Sequence, residues 1–194
     1  MKFIDRPKYG PLHRFNDYHV YKTLSVLTDG RRKGRKLLAD RIGVGEGSMR
    51  TIIDHLRDEG MVEVKQTGVK ITKPGEEFIS KFPLNVYELD APDIAVGESS
   101  VAVQIRGMAY KVTTGMEQRD QAIKAGADGA TTVIVKGNCL TIPVDFDLDE
   151  NRPEMADALR RLFDLEDGDV IIIGTSTTLQ HAEEGAMAAA FNLI

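Results

Sequence analysis

Apolar residues in the first half of the chain recur at the spacing of amphipathic helices. The clearest stripe follows the i, i+3, i+4, i+7 pattern that places one face of a helix on a core. Its members are Met49, Ile52, Ile53 and Leu56. We therefore predict a helix over about residues 46–59, closed by Gly60. Weaker stripes predict two earlier helices. The first is capped by Asp17 and buries Val20, Tyr21, Leu24 and Leu27. The second buries Leu37, Leu38 and Ile42.

The opposite face of the predicted 46–59 helix is polar. It carries Ser48, Arg50, Thr51, Asp54 and Arg57. A helix with a polar outer face and a buried inner face fits the major groove of DNA, which is about 12 Å wide. Arg50 can fork onto guanine, while Ser48 and Thr51 can meet phosphates or base edges. In the alternative interpretation, Arg50 is a surface arginine paired with Asp54 at i+4.

Residues 61–72 predict a two-stranded hairpin that turns near Gln66 to Gly68. Its polar residues are candidates for further DNA contacts, and they are Lys65, Gln66, Thr67 and Lys70. Pro74, followed by Glu76 and Glu77, then predicts a short helix that runs to about Phe82.

These elements occur in the order of a known family. Roughly residues 15–82 resemble the winged helix-turn-helix of prokaryotic transcriptional regulators. The resemblance is carried by the helix pattern from Arg41 to Leu56, the segment DEGMVEV, a glycine-tipped turn and KITKPGEEFI. The resemblance implies double-stranded DNA as the partner. It also implies that the 46–59 helix is the recognition helix and that the 61–72 hairpin is the wing.

A basic run precedes the second predicted helix, and its members are Arg31, Arg32, Lys33, Arg35 and Lys36. Positive charge at a helix start opposes the helix dipole, so an anion such as DNA phosphate would stabilise the run. The alternative is a solvated loop. Residues 1–82 hold 17 Lys and Arg against 11 Asp and Glu, or +6, whereas the rest holds 8 against 19, or −11. This asymmetry supports a polyanion partner for the first half alone.

The second half alternates short strands and helices. The predicted elements are strand 100–107, helix 116–125, a hairpin of strands 130–136 and 139–144, helix 153–165, strand 169–174 and helix 177–193. The continuous apolar run of 169–174 predicts a strand buried on both faces. We therefore predict an α+β protein, with a winged helix domain at 1–82 and, at 83–194, an α+β sandwich that contains a mixed sheet. Residues 83–97 are the expected linker.

A hydroxyl-rich turn at 174–178, placed before the last predicted helix, is the best candidate for binding a small, anionic ligand. Backbone N–H groups and the dipole at a helix start favour anions. A second cluster at 126–132, with basic residues on the helix before it, can face that turn. The candidate ligand residues are Arg119, Lys124, Thr131, Thr132, Thr175, Ser176, Thr177 and Thr178. Ordinary helix capping by Thr177 and Gln180 is the alternative.

Signs of catalysis are absent from the sequence. Neither GxxxxGK[ST] nor GxGxxG occurs, and the four histidines lack the spacing of metal ligands. Cys139 is single, which excludes an internal disulfide, and we expect it to be buried in a strand. We therefore expect no enzyme activity, no cofactor and no metal. Two alternatives remain: an enzyme with a DNA-binding appendage, or an RNA- or protein-binding assembly module.

The first residues contain charge and proline where a signal peptide would be apolar, and no apolar run reaches the roughly 20 residues that span a bilayer. A cytoplasmic protein is expected. Residues 1–14 are predicted to form a basic arm or a tether without regular structure. DNA geometry predicts a homodimer, since two recognition helices on adjacent turns lie about 34 Å apart.

The second half also resembles a known family, through RDQAIKAGADGATTVIVKGNCLTIP and DVIIIGTSTTLQHAEEGAMAAAF. These segments are similar to a small archaeal family of winged-helix proteins whose C-terminal domain is of unknown function. The fold of that domain is similar to the GAD insertion domain of bacterial aspartyl-tRNA synthetases. The resemblance supports the predicted architecture and supplies no ligand or catalytic residues.

Overall fold

The described residues, 15–89 and 97–194 of a computed structural model, form two compact units. The first unit extends to Pro83 and the second begins at Leu84, against the expected boundary between 82 and 83. The predicted arm at 1–14 and most of the predicted linker, residues 90–96, lie outside the described residues.

The first unit is a winged helix. Its elements are α1 (Asp17–Leu27), α2 (Arg35–Ile42), α3 (Glu46–Asp58), β1 (Val62–Lys65), β2 (Gly68–Ile71) and α4 (Lys73–Ile79). The predicted stripes of α1 and α3 are buried, as is most of that of α2. Leu37 is an exception, because its side chain is 46% exposed and Ala39 takes the third buried position of α2.

The N-terminus of α1 is capped by Asn16, and not by Asp17 as predicted. Asn16 Oδ1 accepts from the backbone N–H of Tyr18 at 3.1 Å, and His19 Nδ1 accepts from the backbone N–H of Asn16 at 3.1 Å. Such a reciprocal pair satisfies donors that a helix start leaves unpaired. Burial, and secondarily the positive charge of Lys22, lowers the pKa of His19 from 6.5 to about 4. The neutral imidazole is therefore the form that the fold selects.

The second unit packs helices on both faces of a six-stranded sheet. Its elements are β3 (Asn85–Leu89), β4 (Ser99–Ile105), a 3-10 turn (Ala109–Lys111), α5 (Met116–Lys124), β5 (Gly129–Lys136), β6 (Cys139–Ile142), β7 (Phe146–Asp147), α6 (Leu148–Asn151), α7 (Pro153–Leu162), β8 (Val170–Ser176) and α8 (Leu179–Leu193). The α+β class is confirmed. The segment 145–151, between the predicted hairpin and the predicted helix 153–165, contains β7 and α6.

The strand order is β3-β4-β8-β5-β6-β7, and every described pairing in this sheet is antiparallel. The prediction of a mixed sheet is therefore wrong. β4 and β5, which a helix joins in sequence, do run in the same direction, but β8 lies between them and pairs antiparallel with both. An alternating strand and helix pattern predicts parallel strands without telling which strand separates them.

The central strand β8 is buried on both faces, as predicted. Ile171 and Ile173 pack with residues of α7 in a cluster on one side of the sheet. On the other side Gly174 faces α8, and a Cβ at this glycine would lie 2.8 Å from the backbone nitrogen of Ala186. The absence of a side chain at Gly174 thus sets how closely α8 approaches the sheet.

Cys139 is exposed, which corrects the expectation that it is buried. It is the first residue of β6, directly after the turn at Gly137 and Asn138, and it pairs with the exposed Lys136. The core of the unit begins one residue later, at Leu140, which is 1% exposed.

His19 predicts a pH dependence of folding in the first unit. The pKa of His19 is lower in the folded chain than the unfolded value of 6.5, so the unfolded chain binds the extra proton between pH 6.5 and about 4. Stability is fully present above pH 6.5 and falls as the pH drops through this window, by up to about 3 kcal/mol. Urea unfolding followed by circular dichroism at pH 7 and pH 4.5 measures it.

His19→Gln is the matched variant, since glutamine keeps a capping acceptor but does not titrate. We expect its first unfolding transition to lose much less stability between pH 7 and pH 4.5. Equal losses in the two proteins would contradict the assignment to His19.

Candidate nucleic-acid interface

A three-residue turn positions α3 against α2. Gly43 closes α2 in the left-handed conformation, with φ of 78°, and its N–H donates to Ala39 O at 3.0 Å. Gly45 then forms the N-cap of α3. Turns of this length with glycine are typical of helix-turn-helix motifs. The turn buries the apolar stripe of α3 and leaves Arg50 and Thr51 exposed, with Ser48 half-buried.

Arg50 is exposed on the outer face of α3 and is not paired with Asp54. Asp54 Oδ1 instead accepts from Arg57 Nη1 at 2.9 Å, while Arg57 Nη2 donates to Asp58 at 2.9 Å. Asp58 and, less strongly, Asp54 raise the pKa of Arg57. The alternative pairing of Arg50 with Asp54 is therefore wrong. Within the described part of the chain no acidic group lies within 4.0 Å of the Arg50 guanidinium, which remains available to a partner.

The wing is a tight two-stranded hairpin, to which the basic loop adds one isolated backbone bridge. β1 and β2 pair from Val62 with Ile71 to Lys65 with Gly68, so Gln66 and Thr67 form the tip. Lys33 adds a backbone bridge, because its N–H and C=O each bond to Val69 at 2.9 Å. Gly68 has φ of 120°, and a Cβ there would lie 2.7 Å from Lys33 O. The approach of the basic loop to the wing therefore requires glycine at position 68.

Two members of the basic run hold this wing in place. Lys33 is 6% exposed, and its Nζ lies 2.5 Å from both carboxylate oxygens of Asp29. Arg32 forms an ion pair with Glu63 and donates to Gly68 O at 3.1 Å. The prediction that Lys33 and Arg32 contact phosphate is corrected, because both side chains are engaged within the fold.

The carboxylates that engage these cations are themselves held in the charged form. The hydrogen bond from Lys33 lowers the pKa of Asp29. Hydrogen bonds from Lys65 and then Arg32 lower the pKa of Glu63. Lys65, predicted to contact DNA, is exposed and lies 2.8 Å from Glu63.

The remaining basic residues are exposed beside α3. The side chains of Arg31, Arg35 and Lys36 form no ion pair within 4.0 Å among the residues that the structure describes, although the backbone N–H of Arg31 donates to Asp29 Oδ1 at 3.0 Å. Arg35 and Arg50 line a groove of about 450 Å³ between α3 and the wing, whose other walls include Ile53, Asp54 and residues 64–69. The exposed tip residues Gln66 and Thr67, with Lys70 on β2, extend this surface. The groove therefore brings Arg35, Arg50 and Lys65 together beside Asp54.

The candidate ligand residues of the second unit do not form the predicted cradle. β8 continues through Thr175 and Ser176, which are buried, so the turn predicted at 174–178 is shorter. Thr177 is exposed, and Thr178 caps α8 by accepting from His181 N at 3.3 Å, in place of the predicted capping box at Thr177.

The candidate residues on β5 and α5 do not pair with Thr175. Thr131 pairs with Ile173 and Thr132 pairs with Ile172, whereas the partner of Thr175 on β5 is Gly129. Arg119 and Lys124 are exposed on α5, and Arg119 pairs with Asp120 at 3.1 Å.

Comparisons with known proteins match the two units separately. Residues 18–84 match a family model described as the CggR N-terminal DNA binding domain. Residues 96–193, half of the chain, match a model described as a domain of unknown function (DUF4443). The chain belongs to the DUF4443 family. The first match shows that this DUF4443 protein has an N-terminal DNA-binding domain of the winged type.

Solved structures are also similar to this chain, and one of them matches nearly the whole chain. It is the hypothetical protein PH0730 from Pyrococcus horikoshii OT3, which is 29% identical, with 93% of each chain covered and a TM-score of 0.73. No curated protein matches the chain. A membrane-crossing helix, which would need both length and apolarity, does not occur among the described residues.

The exposed cations predict the salt dependence of duplex binding. Replacing Arg35 and Lys36 together with alanine should lower the slope of log affinity against log salt by about 1.8, since each phosphate contact contributes about 0.9. Fluorescence polarisation with a labelled duplex at several salt concentrations measures the slope. Lys81→Ala, an exposed lysine outside this surface, is the control and should leave the slope unchanged. An unaltered slope in the double variant would remove Arg35 and Lys36 from the set of phosphate contacts.

Proposed function

We propose that this DUF4443 protein is a transcriptional regulator that binds double-stranded DNA. In this proposal α3 enters the major groove, the wing tip at Gln66 and Thr67 follows the adjacent backbone, and Arg35 and Lys36 neutralise phosphates. The observation that carries the proposal is the Arg50 guanidinium, which is exposed on α3 and has no ion pair among the described residues, while the neighbouring Arg57 is neutralised by Asp54 and Asp58. The match of residues 18–84 to a DNA-binding domain supports it.

The second unit is proposed to sense a small anionic molecule or to join two copies of the chain. The excess of acidic residues after residue 82 would repel DNA, so contacts with nucleic acid fall to the first unit. A homodimer would present two α3 helices to adjacent major grooves about 34 Å apart. Ligand binding regulates such a dimer only if the ligand has unequal affinity for two arrangements of it.

The proposal places the protein in the cytoplasm and assigns it no catalytic activity and no cofactor. The likeness of the second unit to the GAD insertion domain, and an archaeal origin of the family, stay predictions.

Selection of bound fragments from the genome of the source organism tests the regulatory role. We expect enrichment of a sequence with two half-sites one helical turn apart, because a homodimer reads both. Competition between duplex DNA and RNA at fixed salt separates this outcome from the assembly-module alternative. Preference for RNA, or absence of duplex binding in dilute buffer, would overturn the proposal.

Arg50 predicts base specificity within the selected site. Arg50→Ala should weaken binding to that site by about 1–3 kcal/mol and relax the preference at one base pair, with little change on random DNA. Arg57→Ala is the matched control, since Arg57 lies on the same helix but is engaged by two carboxylates. Binding measured on the selected and random duplexes distinguishes the two. Equal weakening on both duplexes by Arg50→Ala would make Arg50 a phosphate contact instead.

A further inference from the structure

The wing carries a single carboxylate among several cations. Residues 61–72 contain one acidic residue, Glu63, and two lysines, Lys65 and Lys70. Glu63 Oε1 lies 2.8 Å from Lys65 Nζ, and Glu63 Oε2 accepts from Arg32 Nη2. Lys70 is the partner of Glu63 in the ladder of β1 and β2, so it lies directly opposite. Cations from the basic loop and from both strands of the wing thus lie beside one carboxylate.

These charges belong to the surface that is proposed to meet DNA. Lys65 lines the groove that also contains Arg50, and so does Gly68, whose carbonyl oxygen accepts from Arg32 at 3.1 Å. The side chains of Glu63 and Lys65 are 44% and 59% exposed, and that of Arg32 is 22% exposed. A duplex seated on this groove comes close to all three charged groups.

The wing does not depend on Glu63 alone for its position. The ladder of β1 and β2 and the two backbone hydrogen bonds between Lys33 and Val69 also fix it. Ion pairs between exposed side chains add little stability, because water competes for both partners. The larger effect of Glu63 is electrostatic, since it cancels one of the two positive charges of Arg32 and Lys65.

We infer that Glu63 is an internal counter-charge that withholds Arg32 and Lys65 from DNA phosphates and so limits the sequence-independent affinity of the first unit. A phosphate that approached either cation would have to displace Glu63 or lie beside it, and like charges at that distance repel. Glu63 is ionised at neutral pH, because hydrogen bonds from Lys65 and Arg32 lower its pKa. Arg35 and Lys36, which form no ion pair within the described part of the chain, supply phosphate contacts instead.

The inference rests on the proposed binding of duplex DNA and adds a control of that same surface. Phosphate contacts supply essentially all of the affinity for random DNA, whereas base contacts specify the site. With Arg32 and Lys65 withheld, fewer cations hold the protein on a random sequence. Glu63 therefore favours release from DNA that Arg50 does not recognise.

Glu63→Gln tests the inference, because glutamine keeps the size of the side chain and one acceptor but removes the charge. Fluorescence polarisation of the full chain with a labelled random duplex, at several salt concentrations, is the measurement. We expect the slope of log affinity against log salt to steepen by about 0.9 to 1.8, for one or two added phosphate contacts. At about 0.1 M salt the affinity should rise roughly tenfold.

Glu77→Gln is the matched control for net charge. Glu77 lies on α4, outside the groove, and its carboxylate is 3.9 Å from Lys73 Nζ. The substitution makes the same change of charge in the first unit and should leave the slope as in the wild type.

Lys65→Ala in two backgrounds separates withholding from a general effect of charge. In the wild type it should leave the slope unchanged, because Glu63 already withholds Lys65. In the Glu63→Gln background it should lower the slope by about 0.9. An equal decrease in both backgrounds would show that Lys65 contacts phosphate despite Glu63, which contradicts the inference.

The other outcomes are equally decisive. An unchanged slope in Glu63→Gln, while the wild type binds the duplex, would overturn this inference and leave the proposed function standing. Weaker binding together with a lower melting temperature, measured by circular dichroism, would show that Glu63 acts by holding the wing, and this too would reject the inference. Absence of duplex binding in both proteins at every salt concentration would reject the proposed function as well.

Discussion

The candidate DNA-binding surface depends on the backbone bridge between Lys33 and Val69. Two hydrogen bonds of 2.9 Å join the basic loop to β2, and Gly68 permits the approach. Two ion pairs stabilise this contact between the basic loop and the wing. Lys33 pairs with Asp29, and Arg32 pairs with Glu63 on β1. These contacts fix the direction of Arg32 and Lys33 in the loop that leads into α2, where Arg35 and Lys36 lie. With them, Arg35 and Arg50 lie on the same groove.

A comparable constraint organises the second unit, where β8 separates two strands that run in the same direction. β8 is buried on both faces. On one face Ile171 and Ile173 pack in the same cluster as residues of α7, and on the other Gly174 contacts α8. A side chain at Gly174 would move α8 away from the sheet. The strand therefore carries no exposed surface that could take part in ligand binding, which is why Thr175 and Ser176 form no cradle.

The sequence predicted the first unit more completely than the second, for physical reasons. The stripe of α3 is long and strictly periodic, and glycines stand at both limits, with Gly45 as the N-cap and Gly60 just after the end, so the helix and its exposed face could be predicted directly. The partners of the basic run could not, apart from Asp29 and Lys33, whose i, i+4 spacing was a local signal. Arg32 meets Glu63 across 31 residues, and no local pattern reports such a contact.

In the second unit the elements were predictable and their arrangement was not. Strand order depends on which edges meet in space, so the antiparallel pairing of β8 with both neighbours was not visible in the periodicity. The burial of Gln118 in α5 and of Thr132 in β5, each with a side-chain oxygen that has no partner among the described residues, was likewise not visible in the sequence, because a polar residue in either element is typical of a surface position. Burial and the absence of a partner are properties of the assembled layers.

The position of β8 in the chain also bears on how the protein is made. Its pairing with β4 joins residues that are 65 to 77 positions apart, from Ile105 with Val170 to Ser99 with Ser176. Such distant pairings form slowly, since a long loop must close first. The winged helix also contains a distant contact, since the Tyr21 hydroxyl donates to Phe82 O across 61 positions, but all of its elements precede β8 along the chain. It can therefore fold on the ribosome before β8 has been synthesised. A nascent chain would then be able to meet DNA before the half that is proposed to regulate it exists as a folded body.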